Sequence, residues 1–414
     1  MNVTLADIVA ARQRLRGGIY ETPCRESAAL SELLGCRIYC KLEYLQRTGS
    51  FKERGARNAL LQLPPDQRKR GVIAASAGNH ALALAFHGRD LGIAVTVVMP
   101  QMAPLIKQTR CRSLGAKVLI AGENIAEAKE TADSFVESEG LTYIHGFDGA
   151  EVIAGQGTMG LEILDQVPDA DAIVVPVGGA GLIAGLGRAV KGMSPHVQVI
   201  GVEPDRARSF FDSLAAGRPV RSTLLPTLAD GLAVPQVGDR AFRIAQEVVD
   251  KAVLVGEESI ALAILRLIEL EKGVVEGGGA VPLAAMLAGK LPELAGKRVV
   301  LVLCGGNIDP TVLGRVIDHG LVADGRVTQF TAVIPDRPGG LASLTAAIAK
   351  AGGSVREINH ERAFAGADVS TVQVVCTVEV RDVQHIEELH ALLERSGIRV
   401  ISRTSPLSCV IGGS

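Results

Sequence analysis

No apolar run in the 414 residues approaches the roughly 20 needed to cross a bilayer. The first stretch, MNVTLADIVAARQRLRG, is amphipathic and has no signal-peptide core. A cytoplasmic protein with no membrane partner is therefore expected. Positive charge is not in excess: 43 Lys and Arg stand against 45 Asp and Glu, a formal net charge of -2. No basic stripe appears either, which argues against nucleic acid as a partner. The 7 cysteines are scattered, and only Cys36 and Cys40 lie close together. No second pair or nearby histidine completes a zinc set, so no metal is expected and the thiols read as reduced and mostly buried.

What remains is a globular chain, 47% hydrophobic and 21% charged, and long enough for two or three domains. Short apolar runs alternate with helical patterns over about the first 310 residues. Strands are expected at 37–43, 71–76, 93–100, 116–122, 171–177, 197–204 and 298–304. Continuous apolar strands separated by helices imply parallel sheets covered on both faces. Such α/β folds bind ligands at the carboxyl ends of their strands. Several of these strands run into glycine-rich or polar loops: SAGNH, PVGGAGL and CGGN. After about residue 315 the pattern changes. The stretch 316–327 reads as a linker. Beyond it, strands at 328–335, 354–363, 370–380 and 398–403 and helices at 338–352 and 382–397 give the ferredoxin-like order βαββαβ.

Three loops and one lysine could carry chemistry. The strand 171–177 leads into Gly178, Gly179, Ala180 and Gly181 and then a helix. Bare backbone amides at a helix N-terminus suit a phosphate. The same residues also fit G-x-G-x-x-A, with Glu203 ending the next strand, which is a dinucleotide pattern. A purely structural glycine turn is a third reading. In 74-AASAGNHALA-83, Ser76, Asn79 and His80 bring a hydroxyl, an amide and an imidazole to one strand end, where they could meet a carboxylate or a phenolic oxygen. A helix cap with a surface histidine is the plainer alternative. Cys304 ends the strand before CGGN and faces a ligand or is simply a small buried hydrophobe. Lys52, in 49-GSFKERGA-56, sits beside Phe51. It is either a solvated charge or an amine held for covalent chemistry. A lysine that forms imines near a phosphate site is the mark of a pyridoxal phosphate enzyme. It must be partly neutral, which a shielded site and a neighbouring Arg54 would favour.

The stretches 41-KLEYLQRTGSFKERGA-56, 76-SAGNH-80, 153-IAGQGTMGLEI-163, 176-PVGGAGL-182, 227-TLADG-231, 276-EGGGA-280 and 304-CGGN-307 resemble the threonine and serine dehydratases. These are fold-type II pyridoxal phosphate enzymes built from two doubly wound parallel-sheet subdomains. The match spans roughly residues 15–315 in order and sets the dinucleotide reading aside. The tail resembles an ACT domain, a regulatory amino-acid sensor. The implied organisation is a catalytic domain at 1–315, a linker at 316–327 and an ACT-like domain at 328–414.

The resemblance also implies roles. Lys52 would carry pyridoxal 5'-phosphate as an imine and take the substrate α-proton. Phe51 would pack on the cofactor ring and Asn79 would bond its 3′-oxygen. Gly178, Gly179, Ala180, Gly181 and Leu182 would hold the phosphate. Cys304 would lie near the pyridine nitrogen. Ser76, Asn79 and His80 would receive the substrate carboxylate. The implied activity is threonine ammonia-lyase, with serine a possible second substrate and a place in amino-acid metabolism such as isoleucine biosynthesis. The alternatives are a dehydratase preferring serine or 3-hydroxyaspartate, or a cofactor-bound sensor without useful catalysis. An amino-acid effector at the tail and a homotetramer or homodimer are expected, with a ligand-free dimerisation module the alternative for the tail.

Four positions depart from the patterns of such enzymes. Ala180 replaces the third of four glycines, which is tolerable where φ is below zero. Leu82 stands where a glutamine is usual. Ala77 stands where serine racemases place an acid–base serine, and alanine cannot donate a proton. Some relatives hold a divalent metal near Glu203 and Ala207, but their third, acidic ligand falls at Ser209 here.

Overall fold

A computed structural model describes residues 3–361 and 370–403. It divides into two compact units, Met1–Ile308 and Asp309–Ser414. In the first unit two sheets form. The larger has six strands in the order Cys24–Glu26, Arg37–Lys41, Arg298–Val302, Ala172–Pro176, Gln198–Pro204 and Lys251–Val255. Only the first pair is antiparallel. The smaller sheet is parallel throughout, in the order Lys117–Ile120, Val95–Met99, Val72–Ala75 and Thr142–Tyr143.

The strands Val95–Met99 and Ala172–Pro176 are buried at every residue. That is why they read as unbroken apolar runs rather than alternating ones. Ile173, Val175, Val199, Val300 and Val302 share one core with Phe210 and Phe242. The helices Ala150–Gln166 and Gly181–Met193 pack through glycine. A Cβ on Gly185 would meet the Ile153 carbonyl oxygen at 2.2 Å, and one on Gly157 the Gly185 carbonyl oxygen at 2.8 Å. This close crossing fixes the helix whose first turn follows the 178–181 loop.

Strand Arg298–Val302 lies between Arg37–Lys41 and Ala172–Pro176 although the chain reaches it last of the three. Chain order therefore breaks here, and the loops leaving 172–176 and 298–302 open side by side.

Three strands escaped the sequence reading. Cys24–Glu26 and Thr142–Tyr143 hold only three and two residues, too few to show a period. Lys251–Val255 is a half-covered edge strand that starts with an exposed lysine.

The second unit has four antiparallel strands in the order Arg399–Arg403, Val327–Pro335, Thr371–Glu379 and Ser354–Glu361. With helices Gly340–Lys350 and Val383–Arg395 the chain order is βαββαβ. Strand Thr371–Glu379 buries every second residue, from Val372 to Val378, against Leu344, Ile348, Leu389 and Leu393. The expected strand end at 362–363 and tail beyond 403 lie outside the described residues.

The connection expected over 316–327 is instead mostly helix, Pro310–Ala323. Its start was hidden in the DP dipeptide. The Asp309 side chain accepts from the Thr311 amide at 2.8 Å, and Pro310 fills the first helical position. Val316 and Gly320 form its buried side. The division between units accordingly falls at Ile308, ahead of the expected 315.

Candidate active site

Lys52 is the first residue of helix Lys52–Leu61. The segment before it is stitched to the end of strand Arg298–Val302. Ser50 bridges Gly305, and the Phe51 amide donates to the Cys304 carbonyl at 3.0 Å. The half-buried Lys52 amine donates to the Gly146 carbonyl at 2.7 Å and lies 5.2 Å from the Phe51 ring centroid. Burial lowers its pKa to about 8, against the pull of Cys304 and Glu276. An amine in this state is partly neutral near physiological pH, as imine chemistry requires.

Two residues behind it, Arg54 is fully buried and bonded to Glu43 and Glu162. Arg54 is thus committed to an ion cluster and not free to repel a charge on Lys52. The lowering at Lys52 comes from burial.

The loop Gly178–Gly181 sits at the end of strand Ala172–Pro176. Among the described residues, the amides of Gly178, Gly179 and Ala180 find no backbone acceptor. They open at the N-terminus of helix Gly181–Met193. A Cβ on Gly179 would meet the Phe147 ring at 2.3 Å, and one on Gly181 the Phe147 carbonyl oxygen at 2.2 Å. Gly179 and Gly181 are needed because Phe147 presses onto this loop. Ala180 has φ +67°, so the condition under which a methyl group is harmless there is not met. It holds a left-handed conformation that costs a non-glycine residue about 1–2 kcal/mol.

Asn79 begins the helix Asn79–Leu91. Its Nδ2 donates to Glu276 at 2.7 Å, and its Oδ1 accepts from Asn307 Nδ2 at 2.9 Å. Both ends of the carboxamide are thereby assigned. Ser76 Oγ accepts from the Gly78 amide at 3.3 Å. His80 is not on the surface. It is buried, with its Nε2 against the Ile144 carbonyl at 3.0 Å. Burial, with help from Lys52, pushes its pKa down to about 3, so the ring is neutral. A neutral ring that donates from Nε2 can only accept at Nδ1. His80 can therefore offer a carboxylate its backbone, not its side chain. Cys304 is buried, and burial raises its thiol well above the usual range, with Glu276 adding to it.

The geometry adds four groups that sequence reasoning missed: the Gly146 carbonyl, Phe147, Asn307 and Glu276. Glu276 is buried, and burial raises its carboxyl to about 7, followed by the charge of Asp230. Its signal was present in EGGGA, a carboxylate heading three glycines.

These pieces fit one guest. Free amides at a helix start suit a phosphate, a part-neutral lysine suits an aldehyde, and the amide of Asn79 suits a phenolic oxygen. Residues 15–305 match the family described as "Pyridoxal-phosphate dependent enzyme". The chain belongs to that family. Its fold is fold-type II and its cofactor is pyridoxal phosphate.

The chain is 44% identical over 398 residues to the L-threonine ammonia-lyase of Thermotoga maritima, covering 96% of this chain and 99% of the relative. Among solved structures it is similar to the processed form of threonine deaminase isoform 2 from Solanum lycopersicum. That likeness has a TM-score of 0.72 and 38% identity over 76% of this chain and 86% of the other. It is also similar to the serine racemase of Dictyostelium discoideum, with a TM-score of 0.71 and 36% identity over 74% and 99%. Among the described residues, no group of three or more His, Cys, Asp and Glu could hold a metal, and no helix is long and apolar enough to cross a membrane.

Proposed function

We propose that the protein is a threonine ammonia-lyase that converts L-threonine to 2-oxobutanoate and ammonia. The observation that carries this reading is the pairing of the Lys52 amine with the Gly146 carbonyl, on the segment whose Phe147 closes over the phosphate loop. The likeness to threonine ammonia-lyases and deaminases supports the choice of substrate.

The cofactor, when bound, supplies an electron sink for the substrate's α-carbon. Lys52 would hold the cofactor through Nζ and would take the substrate's α-proton at the same atom. The Gly146 carbonyl accepts from Nζ and keeps the amine on one face of the site. The amides of Gly178, Gly179, Ala180 and Gly181, with the first turn through Leu182, would hold the phosphate. Phe51 lies against Lys52 and excludes water from it. Asn79 would offer its remaining Nδ2 hydrogen to the ring oxygen. Ser76 and the amides at the start of helix Asn79–Leu91 receive the substrate carboxylate. The buried thiol of Cys304 keeps its proton and would face the ring nitrogen without adding charge.

Ala77 separates this reading from racemisation. Its methyl group cannot carry a proton to the opposite face of the α-carbon.

The βαββαβ unit supports an ACT-like regulatory role, with a small amino acid as effector and assembly into dimers or tetramers. Its fold alone assigns no ligand.

Release of 2-oxo acid from L-threonine, L-serine and threo-3-hydroxyaspartate by the cofactor-loaded protein tests the reading. Fastest release from L-threonine is expected. Lys52→Ala should abolish release altogether. Release from none of the three, with cofactor bound, would sink the lyase assignment in favour of a sensor. L-isoleucine, added to the same assay, should lower the rate. An unchanged rate removes isoleucine as the effector.

A further inference from the structure

Asn79, Glu276 and Asn307 form a chain of side-chain hydrogen bonds with a fixed direction. Asn307 Nδ2 donates to the Thr48 carbonyl at 2.7 Å and to Asn79 Oδ1 at 2.9 Å. Its own Oδ1 accepts from Arg110 at 3.0 Å, so its two ends cannot exchange without breaking three bonds. Asn79 then has only one orientation: oxygen to Asn307, nitrogen to Glu276. The pair is sealed by backbone. A Cβ on Gly305 would meet Glu276 Oε1 at 2.3 Å and Asn79 Nδ2 at 3.2 Å. Glu276 itself is fixed from below, its amide donating to the Gly305 carbonyl at 3.0 Å.

A buried carboxylate with no cationic partner in contact is costly. An orienting acceptor alone could have been a glutamine, which would cost less to bury. The acid in this place calls for a function of its charge.

We propose that Glu276 is a positioning residue that acts through Asn79: it orients the amide donor for the cofactor's ring oxygen and, by gaining or losing its own proton, changes how strongly that donor is held. This rests on the reading of Asn79 given above.

The groups that face Glu276 leave it as the one that responds near neutrality. Burial and then Asp230 raise its pKa, while the bond from Asn79, the charge of Lys107 and the Asn307 backbone amide lower it. Lys107 is paired with Asp230 at 3.4 Å. Arg110, on the same helix as Lys107, is spent on Asn307. Cys304 stays protonated, and His80 stays neutral. Lys52 is engaged once the cofactor is bound. A carboxyl titrating near 7 would thus change charge one hydrogen bond away from the ring oxygen.

The test compares the wild type with Glu276→Gln, Glu276→Leu and Asn307→Ala, each loaded with pyridoxal phosphate. The readouts are the absorbance of the bound cofactor between pH 6 and 8.5 and its dissociation constant. The wild type should show a spectral transition with a midpoint near 7. Glu276→Gln keeps an acceptor for Asn79 but no charge. It should lose the transition and hold the cofactor within about threefold of wild type. Glu276→Leu should lose the transition and bind about tenfold more weakly. Asn307→Ala should bind more weakly but keep the transition, because the acid is still present. A transition that survives in Glu276→Gln overturns the proposal, as does one lost only in Asn307→Ala. A wild type with no transition overturns it too. A wild type that binds no cofactor at all would instead overturn the functional reading on which it rests.

Discussion

Arg54 holds both oxygens of Glu162, each at 2.6 Å, inside the body of the protein. It also bonds both oxygens of Glu43, at 2.7 and 2.8 Å. Lys41 reaches Glu162 at 2.7 Å from the other side. Two cations and two carboxylates therefore balance where all four side chains are buried. Arg54 is one half-turn beyond Lys52, so this cluster ties the first turn of the reactive helix to Glu43 and Glu162.

Removing one member leaves an uncompensated buried charge. Arg54→Met should destabilise the protein by about 3–5 kcal/mol, which denaturant unfolding would measure. Glu162→Leu, which strands Arg54 and Lys41 with one carboxylate, should cost a similar amount. A loss below about 1 kcal/mol in both would mean that the cluster relaxes into water.

The lowered pKa of Lys52 has a kinetic consequence. The neutral amine is the form that attacks the cofactor's aldehyde, and it predominates above about 8 rather than above the usual lysine range. Uptake of pyridoxal phosphate by the cofactor-free protein should accelerate from pH 6 to 8.5 and then level off. Stopped-flow absorbance would follow it. A rate still climbing steeply at pH 10 would contradict burial as the cause.

Much of this was legible in the chain, for local reasons. Buried parallel strands are continuous apolar runs, so Val95–Met99, Ala172–Pro176 and Gln198–Pro204 came within a residue or two of their observed ends. Lys52, Asn79 and the 178–181 loop announce themselves because each sits in a short stretch of unusual composition at a strand or helix end. Glu276 and Asn307 act through partners 197 and 228 residues away from them in the chain. No local pattern encodes such a pairing. That the ring of His80 turns inward to the Ile144 carbonyl is another pairing across 64 residues that a polar loop does not announce. The helix Pro310–Ala323 was lost because Gly320, one of its two buried residues, brings no apolar side chain to the period.

Ala180 should be improvable. At φ +67° its methyl group is strained by about 1–2 kcal/mol. Glycine removes that strain but gains freedom in the unfolded chain worth about 0.4–1 kcal/mol. Ala180→Gly should therefore raise stability slightly, by about 0.5–1 kcal/mol. Cofactor affinity should stay level or improve, since the same backbone amides remain. A fall in both melting temperature and affinity would show that the methyl group packs more favourably than its backbone costs.

Glu203 offers a test of pH dependence away from the reactive amine. Its carboxylate accepts from the amides of Phe210 and Phe211 at 3.0 and 2.8 Å while only 3% exposed. Burial wins over those two bonds and raises its pKa to about 8 from an ordinary 4.5. Between these two values the folded protein keeps a proton that the unfolded chain has lost. Stability from this group is therefore full below about 4.5 and is lost as pH rises through about 8, an effect on the order of 5 kcal/mol. Glu203→Gln keeps the size and one acceptor oxygen but cannot ionise. Its melting temperature should fall less than that of the wild type between pH 5 and 8.5, by several degrees. Parallel curves for the two proteins would mean that water reaches the carboxylate and that burial does not set its charge.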